Sequence, residues 1–256
     1  LDSPAQEAWL DDARSVPAID RILAKRGQIG AVQTAEEVAS EYNRLATLGK
    51  STALHKLDNW ALFSKRDWNK LCTRTAEWIG IRDGDSVFES GCGAGAFLQI
   101  LHQSYRVKVA GADLAEKLVD IARLRLPGQF WVGDMQDLSF VPDQSYDCVV
   151  SHGVFLYLPS IAAAERSASE MVRIAKKGGR IYVGVLNDPD RLPSARATDG
   201  HKPSGNFLLF RDFWRDFAAR ADLEIQVVDQ EQIYSRRKGY DAHAPFRYSV
   251  LLRKPP

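Results

Sequence analysis

The 256-residue chain is poor in several things, and each shortage narrows what it can be. Only three cysteines occur, Cys72, Cys92 and Cys148, odd in number, widely spaced and without a C-x-x-C pair. That argues against a disulfide framework or a zinc site, so no metal is expected, and each thiol reads as a small buried hydrophobe in a reducing, cytoplasmic compartment. No apolar run approaches the roughly 18 residues that a membrane-crossing helix needs, so no membrane partner is expected. Charge of one sign is also lacking: 34 Lys and Arg face 33 Asp and Glu, for a formal net charge of +1. Proteins that coat nucleic acid carry a basic excess, so no nucleic-acid partner is expected. The start, Leu1-Asp2-Ser3-Pro4, has neither a methionine nor a charged-then-apolar signal, which reads as a chain trimmed or excised from a longer one.

What is present has two textures. Residues 1–79 read as an amphipathic helical extension or lid, and 80–256 as one compact domain. Within the extension, Pro17 to Arg26 and Thr34 to Leu48 show three-and-four apolar spacing, and Thr34-Ala35-Glu36-Glu37 has the form of a capping box. An aromatic stretch with Trp60, Phe63, Trp68 and Trp78 follows. After Gly84, short β-rich runs alternate with helical patterns, which implies a parallel sheet covered on both faces. Strands are expected at Ser86–Glu89, Val107–Ala112, Gln129–Val132, Asp147–Ser151 and Arg180–Val185, and helices at Phe97–Ser104, Glu116–Arg125 and Ile161–Ala175. A polar loop from Asn187 to Gly205 and a helix at about Arg211–Ala221 come next. Two strand-like runs, Glu224–Gln230 and Arg247–Arg253, finish the chain. Two closing strands with no helix between them predict an antiparallel hairpin at the end of the sheet.

The central motif is Glu89-Ser90-Gly91-Cys92-Gly93-Ala94-Gly95-Ala96, leaving one strand and entering a helix. Glycines let the backbone turn sharply and approach a ligand closely, and the helix start offers free N–H groups. Gly91, Gly93 and Ala96 also satisfy the dinucleotide G-x-G-x-x-G/A form. Asp113 ends the next strand, where a carboxylate can accept both ribose hydroxyls; the alternative is a cap for the helix after Leu114-Ala115-Glu116. Glu89 breaks the tie. A buried anion there repels a pyrophosphate and attracts the ammonium of a methionine moiety, favouring adenosylmethionine over a dinucleotide. Asp134, in Gly133-Asp134-Met135, is placed to hold an adenine amino group with Met135 on the ring, or to be an ordinary loop carboxylate.

In sum these motifs resemble those of the class I S-adenosylmethionine-dependent methyltransferases, in the ubiquinone-biosynthesis-type small-molecule branch. The glycine run is similar to the family's acidic-x-G-x-G-x-G loop. Gly133-Asp134-Met135-Gln136-Asp137-Leu138-Ser139-Phe140 resembles its G-D-(A/M)-x-x-L-P-F segment, with Ser139 for proline. Ser145-Tyr146-Asp147-Cys148-Val149-Val150-Ser151 resembles its S-F-D-x-V-x-S strand. Glu170 to Arg180 is similar to its E-x-x-R-v-L-K-P-G-G-R run, with Lys177 for proline. The resemblance implies a doubly wound, seven-stranded, mostly parallel Rossmann-like sheet with S-adenosylmethionine as cofactor. Glu89, Gly91, Gly93 and Gly95 would hold the methionine part, Asp113 with Leu114 the ribose, and Asp134 with Met135 the adenine. Ser151 and His152 would lie near the sulfonium, and Tyr42, in Tyr42-Asn43-Arg44-Leu45-Ala46, over the cofactor.

The acceptor is expected to be a small molecule methylated at nitrogen or oxygen, and the oligomeric state is left open. His152 is positioned to be a general base, or equally to hydrogen-bond backbone at a strand end; Tyr157 orients substrate or is core. Trp60, Phe63, Trp68, Phe207, Phe210, Phe213 and Trp214 form a lid or aromatic pocket, or, the preferred reading, pack helices on the sheet. Asn187, Arg191 and His201 are further substrate contacts to consider, while Lys176-Lys177 and Arg236-Arg237-Lys238 read as solvated charge. Competing readings are a protein or RNA methyltransferase, a non-catalytic binding scaffold, and an NAD(P)-dependent oxidoreductase. The last lacks a Y-x-x-x-K pair and is opposed by Glu89.

Overall fold

The computed structural model describes residues 33–49, 52–61, 63–191, 207–233 and 247–256. The expected helix at Pro17–Arg26, His201 and the Arg236–Lys238 run lie outside them. Among the described residues, three α-helices precede the sheet. Helix α1 (Ala35–Leu45) opens on the expected box: Thr34 Oγ1 accepts the Glu37 N–H at 3.2 Å and Glu37 Oε2 accepts the Thr34 N–H at 2.7 Å. One turn, α2 (Leu54–Leu57), leads through Asp58 and Asn59 into α3 (Lys65–Ile79). Ser64 caps α3 and Gly80, in the left-handed region, ends it.

The alternating region then runs β1 (Ser86–Ser90), α4 (Ala96–Tyr105), β2 (Lys108–Asp113), α5 (Glu116–Arg125), β3 (Gly128–Val132), β4 (Tyr146–His152), α6 (Ile161–Ile174) and β5 (Ala175–Asn187). After it come α7 (Arg211–Arg220), β6 (Glu224–Asp229), the short α8 (Gln230–Ile233) and β7 (Arg247–Arg253). The seven strands lie in the order β3-β2-β1-β4-β5-β7-β6. The first five are mutually parallel, and β7 is antiparallel to both β5 and β6. The expected mostly parallel sheet with a terminal antiparallel hairpin is what forms, although the short α8 stands between the two closing strands, where no helix was expected.

Among the strands, one boundary differs by more than two residues. Strand β5 starts at Ala175 rather than Arg180, because Lys176 to Gly179 bulge out of a strand already begun. Tyr146 pairs with Ala175, yet Cys148 pairs with Arg180, and Gly178 takes φ +67°. A Lys-Lys-Gly-Gly sequence reads as a turn when its partner strand cannot be seen.

Strand alternation sorts side chains between two apolar layers. Val87, Val109, Cys148, Val150 and Tyr182 face the layer of α3, α4 and α5. Phe88, Ala110, Val149, Ile181 and Val183 face that of α6 and α7. Two-residue steps therefore put Glu89, Asp113 and His152 on the first face, at the carboxyl ends of β1, β2 and β4. Open α/β sheets bind ligands there, where the strand order reverses between β1 and β4.

Candidate functional site

A cavity of about 160 Å³ opens at those strand ends. Its floor is the glycine loop. Gly91 (φ +80°) and Gly93 (φ +51°) border it, whereas Gly95 (φ +85°) stands behind as the residue that starts α4, its Cα side against Leu126. A Cβ at Gly91 would stand 2.5 Å from Val154 Cγ2, so the turn admits only glycine without displacement.

Three carboxylates converge on this floor. Asp113 accepts the Gly93 N–H at 2.8 Å through Oδ2 and the Ala115 N–H at 2.8 Å through Oδ1. Asp113 thus braces the turn that precedes α5, through the N–H of Ala115, and also borders the cavity. Glu89 borders the cavity at 3% exposure, and its Oε2 has no hydrogen-bond partner. Burial first, then the charges of Asp58 and Asp113, push its carboxyl well above the usual range. Asp58 was not foreseen. Its Oδ1 accepts the Ala94 N–H at 2.6 Å and its Oδ2 the Ala96 N–H at 2.9 Å. Burial raises Asp58 to about 7, with the helix amides opposing and Asp113 reinforcing the shift. The signal that could have found it is the Asp58-Asn59 turn after an apolar helical turn; Asn59 takes φ 64°, which swings Asp58 onto the glycine loop.

At the β3 end, Asp134 and Met135 both border the cavity, with Leu114 beside Asp113. Asp134 Oδ1 accepts the Gln136 N–H at 2.9 Å. The segment after them is pinned by α6: Glu170 Oε2 accepts the Leu138 N–H at 2.7 Å, and Arg173 donates to the Leu138 and Val141 carbonyls, each at 2.8 Å.

The far wall is aromatic. His152 is 5% exposed, stacks on Phe97 at 5.0 Å between ring centroids, and lies 5.2 Å from the Trp60 ring. Its Nδ1 is 3.3 Å from the Tyr182 hydroxyl, and its Nε2 has no partner. Burial, aided by the charge of Arg247, lowers its imidazole to about 3. Over the opening, Tyr42 donates its hydroxyl to that of Tyr157 at 2.9 Å, the rings meeting edge to face. Burial, then Tyr157, raises the Tyr42 phenol.

The predicted residues thus fall into two groups. Tyr42, Glu89, Gly91, Gly93, Asp113, Leu114, Asp134, Met135, His152 and Tyr157 border one cavity. Ser151 does not: alternation turns it to the α6 face, where its hydroxyl is fully buried. Of the aromatic candidates, Trp60 and Trp68 border the cavity, while Phe207, Phe213 and Trp214 pack on the opposite layer under α7. Arg191 bonds Asp229 at 2.8 Å and Asn187 is buried beside Asp188; neither reaches the cavity. Among the described residues, no group of three His, Cys, Asp or Glu is placed to hold a metal, and no helix is long and apolar enough to cross a membrane.

These acceptors fit S-adenosylmethionine. The orphaned Glu89 Oε2 suits an ammonium, the Asp113 carboxylate a ribose diol, and Asp134 with Met135 a flat base. A dinucleotide would bring its pyrophosphate against Glu89, Asp58 and Asp113.

Comparison with known proteins agrees. Residues 88–183 match the family described as Methyltransferase domain. The chain is 30% identical over 168 residues to phosphatidylethanolamine N-methyltransferase of Cereibacter sphaeroides, covering 61% of this chain and 77% of that protein. It is 33% identical over 112 residues to probable tRNA methyltransferase 9B of Mus musculus, covering 43% of this chain but 24% of that one. The S-adenosylmethionine-bound structure of an amino pentose methyltransferase from Micromonospora echinaspora shares the fold, with a TM-score of 0.56 at 18% identity over 73% of this chain and 91% of that one. The chain therefore belongs to the class I S-adenosylmethionine-dependent methyltransferases, and S-adenosylmethionine is its cofactor.

Proposed function

We propose that the enzyme methylates a nitrogen or oxygen of a small molecule, within the ubiquinone-biosynthesis-type branch that the Gly133–Phe140 and Glu170–Arg180 segments resemble. The observation that carries this reading is the closed aromatic end of the cavity. Trp60 lies over Gly153, where a Cβ would stand 2.8 Å from its ring, and Tyr42 with Tyr157 roofs the opening. Such a space admits a small acceptor or one slender group, and aromatic faces attract a cationic or polarised amine. The phosphatidylethanolamine enzyme, by its name, acts at nitrogen.

When bound, S-adenosylmethionine supplies a methyl group on a positively charged sulfur. The protein's part is to align a lone pair and exclude water. Trp60, Phe97 and Leu156 supply dry walls. His152, neutral through burial, presents a bare Nε2 that accepts an N–H or O–H from the acceptor and so fixes its orientation. An imidazole held to about 3 is a weak base, so His152 orients rather than stores a proton, and the acceptor enters neutral. Tyr157, bonded to Tyr42, steadies the roof.

The test offers methyl-tritiated S-adenosylmethionine with pools of small amines and phenols, with bulk tRNA and with a protein extract. Label in an amine or phenol carries the reading, and His152→Ala should then raise KM more than it lowers kcat. Label confined to tRNA or protein would sink it.

A further inference from the structure

The glycine loop has no backbone N–H to spare for an anion. Gly91 and Cys92 donate to the Ala112 carbonyl at 2.8 and 3.0 Å, Gly93 to Asp113 at 2.8 Å, and Gly95 to the Cys92 carbonyl at 2.8 Å. Ala94 and Ala96, whose amides sit where a helix start binds phosphate, donate to the two oxygens of Asp58. Leu98, one turn in, donates to Glu89. Asp58 comes from the turn after α2, outside the segment matched as the methyltransferase domain. A Cβ on Gly93 would run into its carboxylate.

The second observation is Glu89. Glu89, 3% exposed and with its Oε2 unpartnered, borders the same cavity as Asp58 and Asp113, so three carboxyl groups and an open acceptor position meet at the floor. We propose that Asp58 is a specificity-determining residue: by occupying the two helix amides it converts an anion-binding helix start into a cation-selective subsite. The cavity then takes the ammonium end of an amino-acid-bearing nucleoside and rejects a pyrophosphate-bearing one. This rests on the cofactor assignment and not on the identity of the acceptor.

The groups facing Asp58 are Glu89 from β1, Asp113 from β2, Cys92 and the amides of α4. Farther along the wall stand Tyr42 from α1, Asp134 after β3, His152 from β4, Tyr157 and Arg247 from β7. Asp58 is held near 7, so it ionises over the range in which an ammonium stays charged. Affinity for an ammonium-bearing ligand therefore rises with pH from about 6 to 8.

Calorimetric titration of wild type, Asp58→Asn and Asp58→Ala tests this with three probes: S-adenosylhomocysteine, 5′-methylthioadenosine, which lacks the amino-acid end, and ADP. Asp58→Asn should weaken S-adenosylhomocysteine about tenfold or more, leave methylthioadenosine within about threefold, and flatten the rise in affinity with pH. Asp58→Ala, which frees both amides, should strengthen ADP by about threefold or more. Equal losses for the two nucleosides would make Asp58 a structural cap and overturn the proposal. So would S-adenosylhomocysteine affinity that ignores the substitution, or ADP affinity that does not rise. No acceptor enters these titrations, so their failure and that of the small-molecule reading are separate results.

Discussion

Gly91, with φ +80° and Val154 Cγ2 2.5 Å from the place of a missing Cβ, cannot take a side chain unless Val154 moves. Alanine there meets a left-handed cost of about 1–2 kcal/mol in addition to the collision. Gly91→Ala should lower the melting temperature and abolish S-adenosylhomocysteine binding in calorimetry; an unchanged affinity would mean the loop has room that these contacts deny. His152 and Asp58 respond to acid in opposite senses. Burial lowers His152 from 6.5 to about 3, so between those values the unfolded chain binds a proton that the folded chain refuses. Its neutral imidazole costs nothing above about pH 6.5, and stability is lost as pH falls toward 3. Asp58 is raised from 3.8 to about 7, so the folded chain holds the extra proton. That contribution is complete below about pH 4 and is lost as pH rises through 7. From about pH 4 to 6.5 the two slopes oppose each other. In His152→Gln the opposing imidazole slope is gone, and urea titrations should show its stability falling relative to wild type by about 1 kcal/mol for each unit that pH rises across that window. Parallel profiles would mean that His152 is not the buried neutral group described. Glu89, Asp113 and Asp134 were legible in the sequence because each stands at or just after a strand end, where period-two alternation and a following glycine or helix mark it. For Asp58 the Asp58-Asn59 turn is a local signal of a bend but not of what it meets, because the amide it caps lies 36 positions away. Ser151 was misplaced by a single step of the same alternation that placed His152.

Helix α1 stands on the cavity differently from the other elements. None of its residues is fully buried, Tyr42 being half-buried against the core, whereas α3 fully buries six. Polar contacts dock it: the Tyr42 hydroxyl to Tyr157, and Asn43 Oδ1 accepting the Lys117 N–H at 2.9 Å at the start of α5. An element held by so few bonds opens at a fraction of the global unfolding cost. Hydrogen exchange should therefore be faster in α1 than in α3, faster again in Tyr42→Phe, and slowed by S-adenosylhomocysteine. Equal protection of both helices would contradict a lid docked by its roof contact. Its start was plain from the sequence because a capping box is a four-residue signal. Its docking was not, since Tyr42 meets Tyr157 across 115 positions. The loop carrying Asp134 and Met135 is the opposite case, stapled by charge. Arg173 reaches two carbonyls of that segment, Glu170 and Asp143. Arg173→Ala leaves the Leu138 and Val141 carbonyls and the Glu170 carboxylate without this partner. It should cost about 2 kcal/mol or more and weaken S-adenosylhomocysteine, and Arg173→Lys should restore only part of either.

Across the whole molecule, the alternation of strand and helix periods pointed to a parallel sheet and the two closing strands to a terminal hairpin, while the count of seven strands came with the family resemblance. The register of β7 was not legible, since an antiparallel partner is fixed by contacts no window of sequence contains. Strand β7 is buried from Arg247 to Leu252, and Lys254 beyond it donates to the Val172 and Ala175 carbonyls at 3.0 and 2.9 Å. Deleting residues 247–256 should leave a chain without cooperative unfolding in near-ultraviolet circular dichroism. A chain that still melted sharply would show that β5 and β6 can close on each other. Because β7 slots between two strands synthesised before it, the sheet resembles a lock left open for its key. Until that key arrives, β5 offers an unpaired edge of apolar backbone, a template for any strand that comes near, including one from a neighbouring copy. The same openness makes the lock fillable from outside. A peptide of residues 247–256 added to the truncated chain should complete the sheet by strand addition and return its sharp transition.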